Sequence, residues 1–276
     1  IAFMRETTAV TPVFLAGGTD LMASKAHGIR REGCLIDLSG LHELRGVQER
    51  EDCIWIGAMT TFAAIERAPV VRLRLPALAD AAARVGSTQI RNAATIGGNI
   101  GNMSPAADGT AALLALGAEL ELFKRREGAM RMNLEDYLRE RTSGELEDAL
   151  ITGIRLSPGE REISAFVKLG SRTAVTISQL ILAASMRIDG DDRITGARFV
   201  LGAIGRCCAA DLETGAWAAG RGLDAEFADR LSMRLQQSVE KAISGRASMP
   251  YKRAAIIGLT EDIVNMLRSR AARVTK

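Results

Sequence analysis

The chemistry most visible in this chain lies in two glycine segments, residues 14–21 (Phe-Leu-Ala-Gly-Gly-Thr-Asp-Leu) and residues 94–100 (Ala-Thr-Ile-Gly-Gly-Asn-Ile). Each sets Gly-Gly directly behind a short apolar run and follows it with a small polar residue. Such a pair offers bare backbone N–H groups with no Cβ in the way, which is what a diphosphate needs. About 80 residues apart, the two segments would close as loops on one elongated ligand. A helix opening near Asp20 would aim its unpaired amides and positive dipole end at the same anion. Neither segment matches G-x-G-x-x-G or G-x-x-x-x-G-K-[ST], so Rossmann and P-loop readings fail on spacing.

Asp108 is the acidic residue best placed to act with these loops. Its carboxylate suits either helix-terminus stabilisation or hydrogen bonds from ligand hydroxyls, and the two roles are compatible. No nucleophile constellation emerges. His27 and His42 are the only histidines, and neither stands in a metal-ligand or Ser-His-Asp context, so both read as surface or capping residues. Cys34, Cys53, Cys207 and Cys208 show no C-x-x-C spacing and read as reduced thiols in a cytoplasmic protein. No catalytic side chain and no metal site is expected. A chain so poor in histidine leaves its chemistry to a cofactor.

The elements that must position these residues alternate in the first half. Residues 12–16 and 34–38 read as strands around a short helix at 20–26. Residues 44–49 and 54–57 form a hairpin pattern about Arg50-Glu51-Asp52, and Thr60 or Thr61 can cap a helix through Arg67. Pro76 opens an apolar helix to Val85, Ser104-Pro105 starts another, residues 119–123 read as a strand and 125–131 as a polar turn. After Pro158-Gly159 the pattern changes. Strands at 180–188 and 196–204 flank Asp189-Gly190-Asp191-Asp192, and two helices, 226–243 and 252–270, close the chain. The expected fold is α+β. It comprises a ligand-binding domain of mixed short strands and helices over 1–160, split near 55, and a smaller domain of antiparallel strands then helices over 161–276.

Composition excludes other classes. At 276 residues with 47% hydrophobic and 25% charged residues, the chain can bury a sizeable core. Lys+Arg 36 against Asp+Glu 33 leaves a net charge of +3 and no basic face for nucleic acid. The longest apolar stretch, 177–186, is interrupted by Ser178, Gln179 and Ser185 and is too short to span a bilayer, and no export signal is visible.

Read together, residues 15–22 (LAGGTDLM) and 89–100 (QIRNAATIGGNI) resemble the paired signatures of the FAD-binding medium subunit of molybdenum hydroxylases, the xanthine dehydrogenase and carbon monoxide dehydrogenase family. The flanking segments 35–47, 54–66, 104–122 and 165–178 extend the resemblance over nearly the whole chain. Two features depart from the family. Only 13 residues precede Phe14, which points to a shortened or truncated first element, and Ile204-Gly205-Arg206-Cys207-Cys208-Ala209 replaces an Ala-Pro-Thr-Pro-like stretch that lies near the flavin in relatives.

The resemblance implies that Phe14, Leu15, Ala16, Gly17, Gly18, Thr19, Asp20 and Leu21 wrap the FAD diphosphate, with Thr95, Ile96, Gly97, Gly98 and Asn99 on its other side. It implies that Asp108 contacts the sugar-like chain of the cofactor, and that Leu150 and Lys168 also approach it. A large molybdenum-cofactor subunit and a small [2Fe–2S] subunit are the implied partners, with NAD or another carrier as electron acceptor. The expected function is therefore electron transfer through FAD. A self-sufficient flavin oxidase or reductase and a flavin-free scaffold are the alternatives.

Overall fold

The computed structural model describes residues 12–26, 34–125, 127–146, 148–172 and 175–274. In chain order the strands and helices begin with β1 (Pro12–Leu15), α1 (Thr19–Ala26), β2 (Cys34–Asp37), β3 (Val47–Glu49) and β4 (Ile54–Gly57). Six helices follow: α2 (Phe62–Arg67), α3 (Pro69–Arg74), α4 (Pro76–Arg84), α5 (Thr88–Ala93), α6 (Ile96–Asn102) and α7 (Asp108–Ala115). Then come β5 (Glu119–Lys124), β6 (Gly128–Asn133), α8 (Leu134–Ser143), β7 (Leu150–Leu156), β8 (Glu162–Gly170), β9 (Ser178–Ile188), β10 (Ile194–Gly202) and β11 (Ala209–Ala210). The chain closes with α9 (Leu212–Ala218), α10 (Ala225–Ile243) and α11 (Met249–Val274). The mixed α+β class is as expected.

Two compact units result, and they interleave in sequence. The first comprises Ile1–Ile65, Ser87–Met103 and Gly117–Ser157, the second Glu66–Gly86, Ser104–Leu116 and Pro158–Lys276. A single division into 1–160 and 161–276, with a further split near 55, does not describe this arrangement. The cause is burial. Strand β9 is buried along nearly its whole length and needs cover on both sheet faces. Leu180, Leu182, Ala184 and Met186 pack with Leu231 and Leu235 of α10 and Ile256 and Ile263 of α11. The other face takes α4 and α7, two apolar segments from far earlier in the chain. Their attachment is direct: Ala77 N–H donates to Ser164 Oγ at 3.2 Å, and Ser185 Oγ donates to the Ala115 carbonyl at 2.7 Å. The second unit is thus a four-stranded antiparallel sheet, β11-β10-β9-β8, with helices on both sides.

The first unit holds a parallel β1–β2 pair and a five-stranded antiparallel sheet in the order β3-β4-β7-β5-β6. Leu38, Leu44, Met59, Phe123 and Leu150 form a buried cluster against which Phe14 and Ala16 pack. That cluster fixes where β1 ends and the first glycine segment begins.

Three local expectations are corrected. Residues 128–131, read as part of a polar turn at 125–131, lie in β6 (Gly128–Asn133), a strand at the sheet edge whose side chains alternate between half-buried and exposed. The helix expected from Ser104-Pro105 starts only at Asp108, because Ala107 N–H closes a turn on the Ser104 carbonyl at 3.1 Å. The second glycine segment is helix α6 rather than a loop. His42 lies exposed in a 3-10 turn, His42–Leu44, while His27 falls outside the described residues.

Candidate functional site

In the first unit the two glycine segments meet. A Cβ on Gly17 would sit 1.9 Å from the Ala93 carbonyl oxygen, so only glycine permits the first segment to lie against the α5–α6 junction. Gly18 has φ +69°, a left-handed conformation that bulkier residues adopt at a cost. The Gly18 carbonyl accepts from Met22 N–H at 2.9 Å and so begins α1. Thr19, Asp20 and Leu21 therefore occupy the helix's first turn, where amides have no intrahelical acceptor. Among the described residues the N–H groups of Ala16, Gly17 and Gly18 have no acceptor either. Residues 16–21 thus present six consecutive amides without a protein acceptor among the described residues, beside the positive end of a helix dipole, an arrangement able to donate to an anion. Gly17→Ala is expected to destabilise the first unit by roughly 1–3 kcal/mol, since the obstacle is backbone and cannot rotate away. A thermal midpoint equal to that of the parent chain would contradict this packing.

The second segment works differently from its sequence expectation. Its amides are already used: Ile96 N–H donates to the Thr60 carbonyl at 3.0 Å and Gly97 N–H to the Ala58 carbonyl at 2.8 Å. Gly98 N–H is capped by Thr95 Oγ1 at 3.1 Å, and Asn99 N–H closes on the Thr95 carbonyl at 3.0 Å. The backbone amides of Ile96, Gly97, Gly98 and Asn99 therefore all have acceptors within the protein. Gly97 is held against Ala58, where a Cβ would be 2.7 Å from the alanine methyl. Gly98 has more room, its nearest neighbours being Thr95 Oγ1 at 3.0 Å and the Ala16 methyl at 3.6 Å. Gly101, three residues on and on the same helix face, would place a Cβ within 4 Å of nothing among the described residues. Two glycines on one face of a helix weaken it by roughly 1 kcal/mol each. In return the helix carries no Cβ at either position, with open space beside Gly101 among the described residues. Sequence reading missed Gly101, although the spacing Gly98-x-x-Gly101 on a short helix would have signalled it. Leu150 is placed in the cluster beneath Phe14 and Ala16, where packing accounts for it.

In the second unit Asp108 is the first residue of α7, a helix buried along its whole length. Its side chain is 8% exposed and that of Lys168, on β8, 9%. Lys168 Nζ donates to Asp108 Oδ2 at 2.5 Å and to the Arg84 carbonyl at 2.8 Å. Ser178, where β9 begins, donates from Oγ to Asp108 Oδ1 at 2.6 Å. Burial pushes the Asp108 carboxyl above the ordinary carboxylate range, and Lys168, Ser178 and the Arg84 guanidinium pull it back. Ser178 was not apparent from sequence, because its significance comes from a residue 70 positions away. The stretch 204–209, which departs from the family pattern, is placed against the same turn. Cys208 is buried, its thiol pushed up to about 12 by burial, and it donates to the Pro105 and Ala107 carbonyls at 3.5 and 3.7 Å. Ala203 N–H donates to the Pro105 carbonyl at 2.6 Å, so the backbone leading into Asp108 is held from two points.

Comparison with known proteins supplies the remaining observation. Residues 2–157 match the model of the FAD binding domain in molybdopterin dehydrogenase. The chain is 32% identical over 259 residues to the nicotinate dehydrogenase FAD-subunit of Eubacterium barkeri, covering 92% of this chain and 87% of that protein. It is 30% identical to a putative xanthine dehydrogenase FAD-binding subunit of Escherichia coli, covering 91% and 87%. In fold it resembles a chain of the carbon monoxide dehydrogenase of Hydrogenophaga pseudoflava, with a TM-score of 0.83 at 24% identity over 98% of this chain and 93% of that one. No helix among the described residues is long and apolar enough to cross a membrane.

Proposed function

We propose, for a chain that belongs to the family of FAD-binding domains in molybdopterin dehydrogenases, that its work is to hold FAD by the diphosphate and to relay electrons through it. The electrons come from [2Fe–2S] clusters in a small partner subunit and leave to NAD or another acceptor. A large partner subunit carrying the molybdenum cofactor oxidises the substrate, in the cytoplasm. The observation that carries this reading is the meeting of an amide-rich glycine turn, residues 16–19, with a helix face kept clear of Cβ atoms at Gly98 and Gly101. A diphosphate fits that pairing in both charge and shape.

When bound, FAD supplies the capacity to store two electrons and exchange them one at a time. The chain's own residues bind and orient. The amides of residues 16–21 hold the anion, and the Gly17–Ala93 contact sets the distance between the two glycine segments. The exposed Asp20 carboxylate stabilises the start of α1 from the solvent side. The Asp108 carboxylate, held by the Lys168 ammonium, accepts from the hydroxyls of the sugar-like chain, as the family resemblance implies. No side chain is required to move a proton in this relay.

The test is purification from the native source, followed by addition of the substrate that the complex oxidises. The chain is expected to co-purify with a molybdenum subunit and an iron–sulfur subunit, and its flavin band at about 450 nm to bleach on substrate addition and recover with an acceptor. A lone chain that oxidises a substrate by itself would overturn the relay in favour of a self-sufficient oxidase.

A further inference from the structure

We propose that Ser178 is a positioning residue for the cofactor, acting through Asp108: its hydroxyl holds one carboxylate oxygen so that the group meets the ligand's hydroxyls as a fixed acceptor. This deepens the preceding reading and rests on it.

Three observations carry the inference. Ser178 is itself buried, at 5% exposure, and its hydroxyl donates to Asp108 Oδ1 at 2.6 Å. The two carboxylate oxygens are divided between different donors, Lys168 on Oδ2 and Ser178 on Oδ1. Lys168 is in turn fixed by the Arg84 carbonyl, which leaves Ser178 to set the rotation of the carboxylate plane. An ionised carboxylate has about four acceptor sites, so each oxygen keeps a lone pair for a ligand hydroxyl after these contacts. A carboxyl that protonates or turns loses that capacity.

The groups facing Asp108 fix the sign of the pH dependence. Lys168 on β8 and Arg84 at the end of α4 are cationic and favour the ionised form. The Cys208 thiol, held near 12, stays neutral across any working range and contributes no titration. Burial opposes ionisation, and Ser178 is the neutral donor that offsets it. Removing that donor raises the Asp108 titration point, so the carboxyl protonates at higher pH and its grip on hydroxyls fails sooner as pH falls.

The experiment is FAD binding to the full-length chain by flavin fluorescence, from neutral pH downward, for the parent, Ser178→Ala, Ser178→Thr and the same changes in an Asp108→Asn background. Ser178→Ala is expected to weaken FAD about tenfold at neutral pH, with the acid limb of its binding profile displaced upward. Ser178→Thr, which keeps the hydroxyl, is expected to restore the parent profile. In the Asp108→Asn background the serine change should add almost nothing, because the group it acts through is gone. A uniform loss at every pH, or full additivity with Asp108→Asn, would overturn the proposal and leave Ser178 a packing residue. Should Ser178→Ala not fold, Ser178→Cys, nearly isosteric but a weaker donor, carries the same comparison. Failure of the parent chain to bind FAD at all would instead sink the functional reading beneath it.

Discussion

A Gly98→Leu chain is expected to fold normally and to bind FAD roughly 10–100-fold more weakly than its parent. The added Cβ meets Thr95 Oγ1 at 3.0 Å, a side-chain atom that can turn aside, and the Ala16 methyl at 3.6 Å, an ordinary contact. Losing the Thr95 cap costs about 1 kcal/mol, and replacing a helical glycine returns about the same amount, so stability changes little. The leucine branch projects from the bare face of α6 beside the first glycine turn. An intruding side chain of this size costs roughly 1–3 kcal/mol in a filled site, which sets the expected range of affinity loss. Gly97→Ala provides the contrast. Its Cβ would lie 2.8 Å from the Ala58 carbonyl oxygen, so that variant should lose stability instead. Thermal midpoints and FAD titrations on the two neighbours separate these roles. Equal FAD affinity in Gly98→Leu and the parent would remove α6 from the site.

Asp108→Ala should do the greater damage to the second unit. Lys168 would be left as a buried cation whose remaining acceptor among the described residues is the Arg84 carbonyl. Stranding one member of a buried ion pair costs roughly 3–5 kcal/mol. Exchanging both members for apolar residues, Asp108→Leu with Lys168→Met, is often close to neutral. The double variant is therefore expected to recover most of the lost stability while remaining unable to retain FAD. Denaturant midpoints measured beside FAD titrations would show the two properties parting. A double variant that is stable and binds FAD like the parent would show the pair to be structural only.

The first glycine turn was legible because every local signal agrees there: an apolar run that becomes β1, a Gly-Gly corner, and Thr-Asp opening α1. The second was misread in conformation for a physical reason. Three glycines in seven residues argue against a helix, yet α6 forms because Thr95 caps it and backbone bonds to Ala58 and Thr60 anchor its start. Helix α8 carried an overlooked signal. Two acids follow Asn133, and Gly144 with φ 91° ends the helix, but its charge-rich sequence hid the buried side of Leu134, Tyr137 and Leu138. The interleaving of the units was not legible at all. Nothing local in residues 76–84 or 108–115 says that these apolar helices cover a sheet formed by residues 162–210. Asp108 could be picked out alone, whereas Lys168 came only through the resemblance and Ser178 needed the fold.

The most direct measurement is a titration of the purified full-length chain with FAD and, separately, with FMN, followed by flavin fluorescence, after heat release has identified any flavin that came with the protein. The expected result is a yellow protein that releases FAD, rebinds it with a single stoichiometric site and takes FMN far more weakly, because FMN lacks the diphosphate that the amides of residues 16–21 would hold. A colourless chain that cannot be loaded with FAD, or one that takes FMN equally well, would contradict the assignment of the glycine turn.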